Sequence, residues 1–277
     1  MKTIIIFGAK GHLGSHLTER FRPFFNVIPF HRDSVDLKDV SQISSLISQA
    51  KPDVIFNCIG LADADKAEKN REDSLESNFI VVKNIVDAID GSPLIKFVTF
   101  SSDYVFNGKK NCPYKEEDNT EPLLIYGEHK VKAEQYVSEY CENYFIFRVS
   151  WLFSPLGNNF QSRIIKIAQE RSVLNVVSDV YGSPTSTIYL ANCLQQMLIK
   201  MHQTECNGLY HLCNSGVASW YDLAFAIKRK FKLECLIRPI SREEFPQVAN
   251  RPRFSVLNNK KFIHDFEIEI PHWSDFI

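Results

Sequence analysis

Apolar residues in the first hundred positions fall in short unbroken runs rather than alternating with polar ones. Lys2–Phe7 carries three consecutive isoleucines, the pattern of a strand covered on both faces. Further β-branched and aromatic runs stand at 27–30, 52–60 and 94–100. Between them, apolar positions at helical spacing predict helices over about 12–21, 39–50 and 77–87, with a charged helical stretch at 63–68 read as a solvated face. A further run of good helix formers goes from Ile125 toward Cys141. Strands that alternate with helices in this way predict an α/β fold, a doubly wound parallel sheet of the Rossmann type. After residue 153 the layout is less regular: a helix over 159–168, a strand over 173–177, a helix over 188–201 and a shorter αβ pattern to the end. A smaller C-terminal α/β portion is therefore expected.

The first strand runs into Gly8-Ala9-Lys10-Gly11-His12-Leu13-Gly14. Glycines at 8, 11 and 14 between a strand and a helix permit a tight turn, and let a pyrophosphate approach backbone N–H groups at the helix N-terminus. The bland alternative is a plain strand-to-helix turn. Gly8, Lys10, Gly11, His12, Leu13 and Gly14 are the expected cofactor cradle. About 20 residues on, where the adenosine ribose is held in such folds, stand Arg32 and Asp33. Arg32 suits a 2′-phosphate and favours NADP(H); Asp33, as a ribose ligand, would mean NAD(H). Asp36 and Leu37 are candidates for the adenine edge. The third strand ends in Asn57-Cys58-Ile59-Gly60, and strand ends on this side of a doubly wound sheet line the cofactor crevice. Asn78 is placed to reach the same crevice from a helix.

The candidate chemistry centres on Tyr126 and Lys130, four apart and so stacked on one helix face. A free tyrosine titrates near pH ~10. The ammonium one turn away is expected to favour the phenolate and bring the phenol toward the working range for acid–base catalysis. The fourth strand delivers Ser101-Ser102-Asp103, whose hydroxyls could donate to a substrate carbonyl oxygen or merely cap the following turn.

Composition narrows the partners. The chain has 277 residues, 44% hydrophobic and 23% charged, with a net charge of −1. That balance gives no reason to expect nucleic acid or a membrane surface. No apolar run reaches 18 residues, and seven cysteines without a Cys-x-x-Cys pair suggest neither a disulfide framework nor a structural zinc site. A cytoplasmic protein with mostly buried thiols and no bound metal is the expectation.

The residues then carry a family resemblance. Gly-x-x-Gly-x-x-Gly at 8–14, Ser-Ser-Asp-Tyr-Val-Phe-x-Gly at 101–108 and Tyr-Gly-x-x-Lys at 126–130 resemble the extended short-chain dehydrogenase/reductases. Phe147 to Phe153, Gly157-Asn158-Asn159-Phe160, Asp179 to Thr185, Gly208 to Leu212, Ser219-Trp220-Tyr221 and Arg251-Pro252-x-x-Ser255-x-Leu257 follow in order. Together they are similar to the dTDP-4-dehydrorhamnose reductase family over essentially the whole chain. The resemblance implies Tyr126 as acid/base, Lys130 as its partner and Ser102 in place of the family's threonine. It implies Trp151 lining the sugar site, with Asp103 and Val105 as further substrate contacts. Residues 1–153, completed by parts of 187–205, would form the dinucleotide-binding domain, and 154–277 mainly the sugar-nucleotide-binding portion. The implied reaction is NAD(P)H-dependent reduction of the 4-keto group of a nucleotide-linked 6-deoxyhexose; the resemblance also allows a homodimer. Arg148, Asn159, Arg163 and Arg251 could meet the diphosphate or nucleotide of the substrate through charge-assisted bonds, with surface pairing the alternative. Leu61 and Ala62 depart from the family's polar residues near the sugar. Two rivals share the scaffold: an epimerase or dehydratase, which would keep its cofactor through each cycle, and a non-catalytic NADP-binding regulatory subunit.

Overall fold

The computed structural model describes residues 1–31, 34–155, 157–201 and 206–277. β1 (Thr3–Phe7) leads through α1 (His12–Phe21) to β2 (Asn26–Phe30), and α2 (Val40–Ala50) to β3 (Val54–Asn57). The helices α3 (Ala64–Lys69), α4 (Arg71–Leu75) and α5 (Val81–Ala88) follow, the last two joined by a π-helical turn over Glu76–Ile80. β4 (Lys96–Ser102), α6 (Ile125–Tyr140) and β5 (Tyr144–Val149) complete the first half. Beyond it lie β6 (Leu152–Phe153), α7 (Phe160–Glu170), β7 (Val173–Val177), β8 (Tyr181–Gly182), β9 (Thr185–Ser186) and α8 (Thr187–Lys200). β10 (Gly208–His211), β11 (Ala218–Ser219), α9 (Trp220–Lys230), β12 (Leu236–Ile240) and α10 (Lys260–Phe266) end the chain's regular elements.

The main sheet has the order β10-β5-β4-β3-β1-β2, with every neighbouring pair parallel. Its strands alternate between two apolar layers, which is why they read as unbroken runs. Ile4 and Ile6 face α1, α8 and α10 in one core. Ile5, Phe7, Ile55 and Phe97 face α2, α5 and α6 in the other. The chain goes from β1 outward to β2 and then returns to β3 on the other side, so the crevice opens at the carboxyl ends of β1 and β3. The doubly wound sheet is as expected. A second, smaller unit pairs β7 with β12 in parallel under α7 and α9. The sheet also recruits β10, so the chain leaves it at residue 149 and returns at 208.

Candidate active site

Gly8 has φ +78°, a left-handed conformation that suits glycine. Its N–H and that of Ala9 donate to the Phe30 carbonyl, and Gly11 N–H donates to Gly8 O at 2.8 Å. A Cβ on Gly14 would lie 2.2 Å from Gly8 O, so α1 can pack onto the turn only without a side chain there. Gly11 is the N-cap of α1 and supplies no capping side chain. The first-turn amides of His12, Leu13 and Gly14 thus point out of the helix with no side-chain acceptor, in a field that favours an anion. Lys10 is exposed beside them. The His12 ring instead turns to Ser154 Oγ at 2.7 Å. Arg32 and Asp33, the pair that would discriminate NADP from NAD, lie outside the described residues. Asp36 is exposed and caps its own turn through Lys38 N–H, while Leu37 packs on the α2–α5 core.

Across the crevice Cys58 N–H donates to Phe7 O, and Ile59 N–H to the Asn57 side chain. Ile59 and the Cys58 carbonyl crowd Gly8. Gly60 is exposed, and a Cβ built on it would lie 2.9 Å from Asn78 Oδ1 and 3.3 Å from Lys130 Nζ. Asn78 sits on the π-helical turn, fully buried, with its amide bonded to Leu61 O and Ser74 Oγ. Its Oδ1 has no partner. An orphaned acceptor, a buried lysine and a bare glycine therefore meet at one wall of the crevice.

Lys130 and Tyr126 do lie together on α6. The ammonium stands 5.8 Å from the Tyr126 ring centroid and donates to the Phe100 carbonyl at 2.9 Å. Both side chains are buried. The expected effect on the phenol is corrected by the structure. Burial pushes the Tyr126 pKa up, the Ser102 hydroxyl pulls it down and the Asp103 charge adds to the rise. Burial also lowers Lys130 to about 8, opposed by Glu134. Desolvation outweighs the cation, whose charge lies over the ring face and is taken up by a carbonyl. Ser102 Oγ donates to Asp103 Oδ1 at 3.1 Å and accepts from Tyr104 N–H at 3.2 Å.

The α6 helix is held in place by close packing at Gly127 and by groups on other elements. Gly127 is obligatory because a Cβ there would lie 2.2 Å from Tyr104 O. The Glu68 carboxylate accepts from Ile125 N–H at 2.9 Å, capping α6 from another helix. Asp65, one turn earlier, accepts from Val248 and Ala249 N–H and pairs with Arg251 at 2.7 Å. The stretch read as a solvated face is thus a clamp. Arg251, expected at the diphosphate, is paired with Asp65 and bonds Gln247.

Other expected sugar-side residues also fall differently. Val105 has no exposed surface and packs with Phe106, Tyr114 and Leu257, so its side chain is core and not a wall of the site. Asn159 caps α7 through Gln161 and Ser162 N–H, and its amide donates to Ser154 O. Arg148 is not at the diphosphate: it is buried in a bidentate pair with Glu134 at 2.9 and 2.6 Å. Arg163 bonds Asn158 on the surface. Trp151 adopts φ +45°, stacks on Trp220 with centroids 3.5 Å apart, and leaves its indole Nε1 without a partner. Among the described residues no three His, Cys, Asp or Glu side chains converge as metal ligands, and no helix is long and apolar enough to cross a membrane.

The whole chain, residues 1–277, matches the family model described as RmlD substrate binding domain. It is 33% identical over 283 residues to dTDP-4-dehydrorhamnose reductase of Escherichia coli (strain K12), covering 98% of this chain and 94% of the relative. A crystal structure of dTDP-4-dehydrorhamnose reductase from Bacillus anthracis str. Ames, in complex with NADP, aligns with a TM-score of 0.90 at 34% identity. That match covers 99% of this chain and 96% of the other. UDP-glucose 4-epimerase from Brucella ovis reaches 0.84 at 13% identity over 100% and 96% of the two chains, a likeness of fold alone. Sequence and fold agree along the full length, and the chain belongs to the RmlD substrate binding domain family.

Proposed function

We propose that this chain is an NADPH-dependent reductase of the 4-keto group of a nucleotide-linked 6-deoxyhexose, serving deoxysugar and polysaccharide biosynthesis. The observation that carries the reading is the burial of Tyr126, Ser102 and Lys130 together at the strand ends, beside a glycine turn whose helix N-terminus lacks a side-chain cap. These residues fit a dinucleotide: first-turn amides of α1 for the pyrophosphate, and Lys130 and the Asn78 acceptor for a ribose. When bound, NADPH would supply the hydride. The phenol, kept protonated by burial, is set to give its proton to the forming alkoxide. Lys130 then faces the phenolate it leaves. Ser102 lies beside the same oxygen position, and Trp151, with its free indole N–H, forms the sugar side.

The Asp103 carboxylate is already taken up by serine hydroxyls. That favours a reductase over a dehydratase needing an open acid at this position. Ser102, Tyr126 and Lys130 kept buried together favour an enzyme over a regulatory subunit. In this reading residues 154–277 mainly hold the sugar nucleotide, the reaction is cytoplasmic, and a homodimer is the assembly to look for by sedimentation. NADPH oxidation against a panel of nucleotide-linked 4-keto sugars tests the activity. Tyr126→Phe should leave NADPH binding nearly intact while turnover drops by roughly 10²–10⁴. Equal loss of binding and turnover would remove the assigned role.

A further inference from the structure

Asp103 is 2% exposed, and no Lys or Arg among the described residues lies within ion-pair distance of it. A buried carboxylate without a cation is costly, and its neighbours show what holds it. Oδ1 accepts from Ser102 Oγ at 3.1 Å. Oδ2 accepts from Ser150 Oγ at 3.0 Å and Ser255 Oγ at 2.5 Å. The three hydroxyls come from the end of β4, the residue after β5 and the C-terminal segment. Both branches on Oδ2 continue. Ser150 Oγ accepts from Ser183 N–H, and Ser183 Oγ accepts from Leu257 N–H. Ser255 N–H donates to Tyr181 O, and Tyr181 N–H to Arg253 O. Between Tyr181 and Ser183 stands Gly182, where a Cβ would lie 2.5 Å from the Trp151 indole.

We infer that Asp103 is a positioning residue: one oxygen fixes the Ser102 hydroxyl, the other fixes the 181–183 and 253–257 segments, and together they set the Trp151 wall relative to the reacting groups. This rests on the reductase reading above. An ionised carboxylate can accept all three hydroxyls at once, and such charge-assisted bonds are roughly twice as strong as neutral ones. Protonation turns one oxygen into a donor and weakens the tie. Burial raises the Asp103 pKa to about 6, and the Ser255, Ser150 and Ser102 hydroxyls hold it from rising further. Of the titratable groups around it, Tyr104 stands on its own turn, Tyr126 on α6 and Cys213 after β10; each is pushed up by burial first and by the Asp103 charge in addition. The β5 end offers only the uncharged Ser150, and Arg253 on the C-terminal segment is paired outside with Glu243. The carboxyl therefore titrates below its titratable neighbours.

The test measures KM for the keto-sugar substrate and Kd for NADPH between pH 5 and 8 in the wild type, Asp103→Asn and Ser255→Ala. The wild-type KM should rise about tenfold as pH falls through the carboxyl range, with NADPH Kd flat; tenfold is about 1.4 kcal/mol. Ser255→Ala removes a donor to the charged form, so its inflection should move to higher pH. Asp103→Asn should show a high, pH-independent KM. Amide hydrogen exchange of 181–183 and 253–257 over the same pH range reads the tie without turnover, and exchange should quicken below the inflection. Unchanged pH profiles and unchanged exchange in Ser255→Ala would overturn the inference, as would a fall in thermal stability with the wild-type KM profile. A wild type that turns over no keto sugar, yet shows the pH-dependent exchange, would instead sink the reductase reading and leave the tie standing.

Discussion

At Tyr126 and Lys130, burial works on two neighbours in opposite senses. It keeps the phenol protonated and loosens the proton on the ammonium, so in the ligand-free protein both are closer to neutral. Lys130 has its ordinary value of 10.5 brought down to about 8, so its charge is lost as pH rises through about 8. We expect kcat/KM for NADPH to fall across that point, read from initial rates between pH 6.5 and 9.5. The stability sign is the reverse of an ion pair's. The unfolded chain binds this proton more tightly than the folded one, so the residue contributes a rise in stability between about pH 8 and 10. Lys130→Met should abolish that slope in urea denaturation while eliminating turnover. At Gly14, the absent side chain is what the turn requires. Gly14→Ala should weaken NADPH binding by about tenfold or more, about 1.4 kcal/mol per factor of ten, in a fluorescence titration. The pairing of Tyr126 with Lys130 was legible because four residues make one helical turn. The direction of the phenol's shift was not, because it depends on how deeply tertiary packing buries the ring.

Elements explain which of the remaining residues could be read from local pattern. Strands β1, β3 and β4 and the glycine turn were visible because their signals are contained within a few residues. The work of α3 was not: Asp65 reaches Arg251 and Glu68 reaches Ile125, across intervals that no periodicity records. Arg148 and Asn159 were read as diphosphate or nucleotide contacts and Val105 as a sugar contact; the structure shows a buried ion pair, a helix cap and a core valine. The π-helical turn was read as ordinary helix because its apolar spacing is nearly the same, yet it carries the orphaned Asn78 acceptor to the crevice. Two expectations belong to this scale. Gly127→Ala should push α6 off the Tyr104 carbonyl and lower kcat more than it weakens NADPH binding. Asp65→Asn should free the 247–251 segment, seen as faster limited proteolysis there.

For the molecule as a whole, the Arg148–Glu134 pair joins β5 to α6, with side-chain exposures of 4% and 8%. Arg148 also approaches His211 of β10, whose pKa is lowered to about 3 by burial and then by that guanidinium. A neutral imidazole and a satisfied guanidinium therefore sit where the last strand docks. Glu134→Ala would leave a buried cation unpaired, and should cost about 3–5 kcal/mol in urea unfolding. The sheet order has a further consequence for a growing polypeptide. β5 is nearly all buried, yet its outer neighbour is Gly208–His211. During translation that apolar edge must wait for its cover, roughly 3–12 s at ~5–20 residues per second. In that interval the nascent chain presents an open strand of the kind chaperones shield and aggregates recruit.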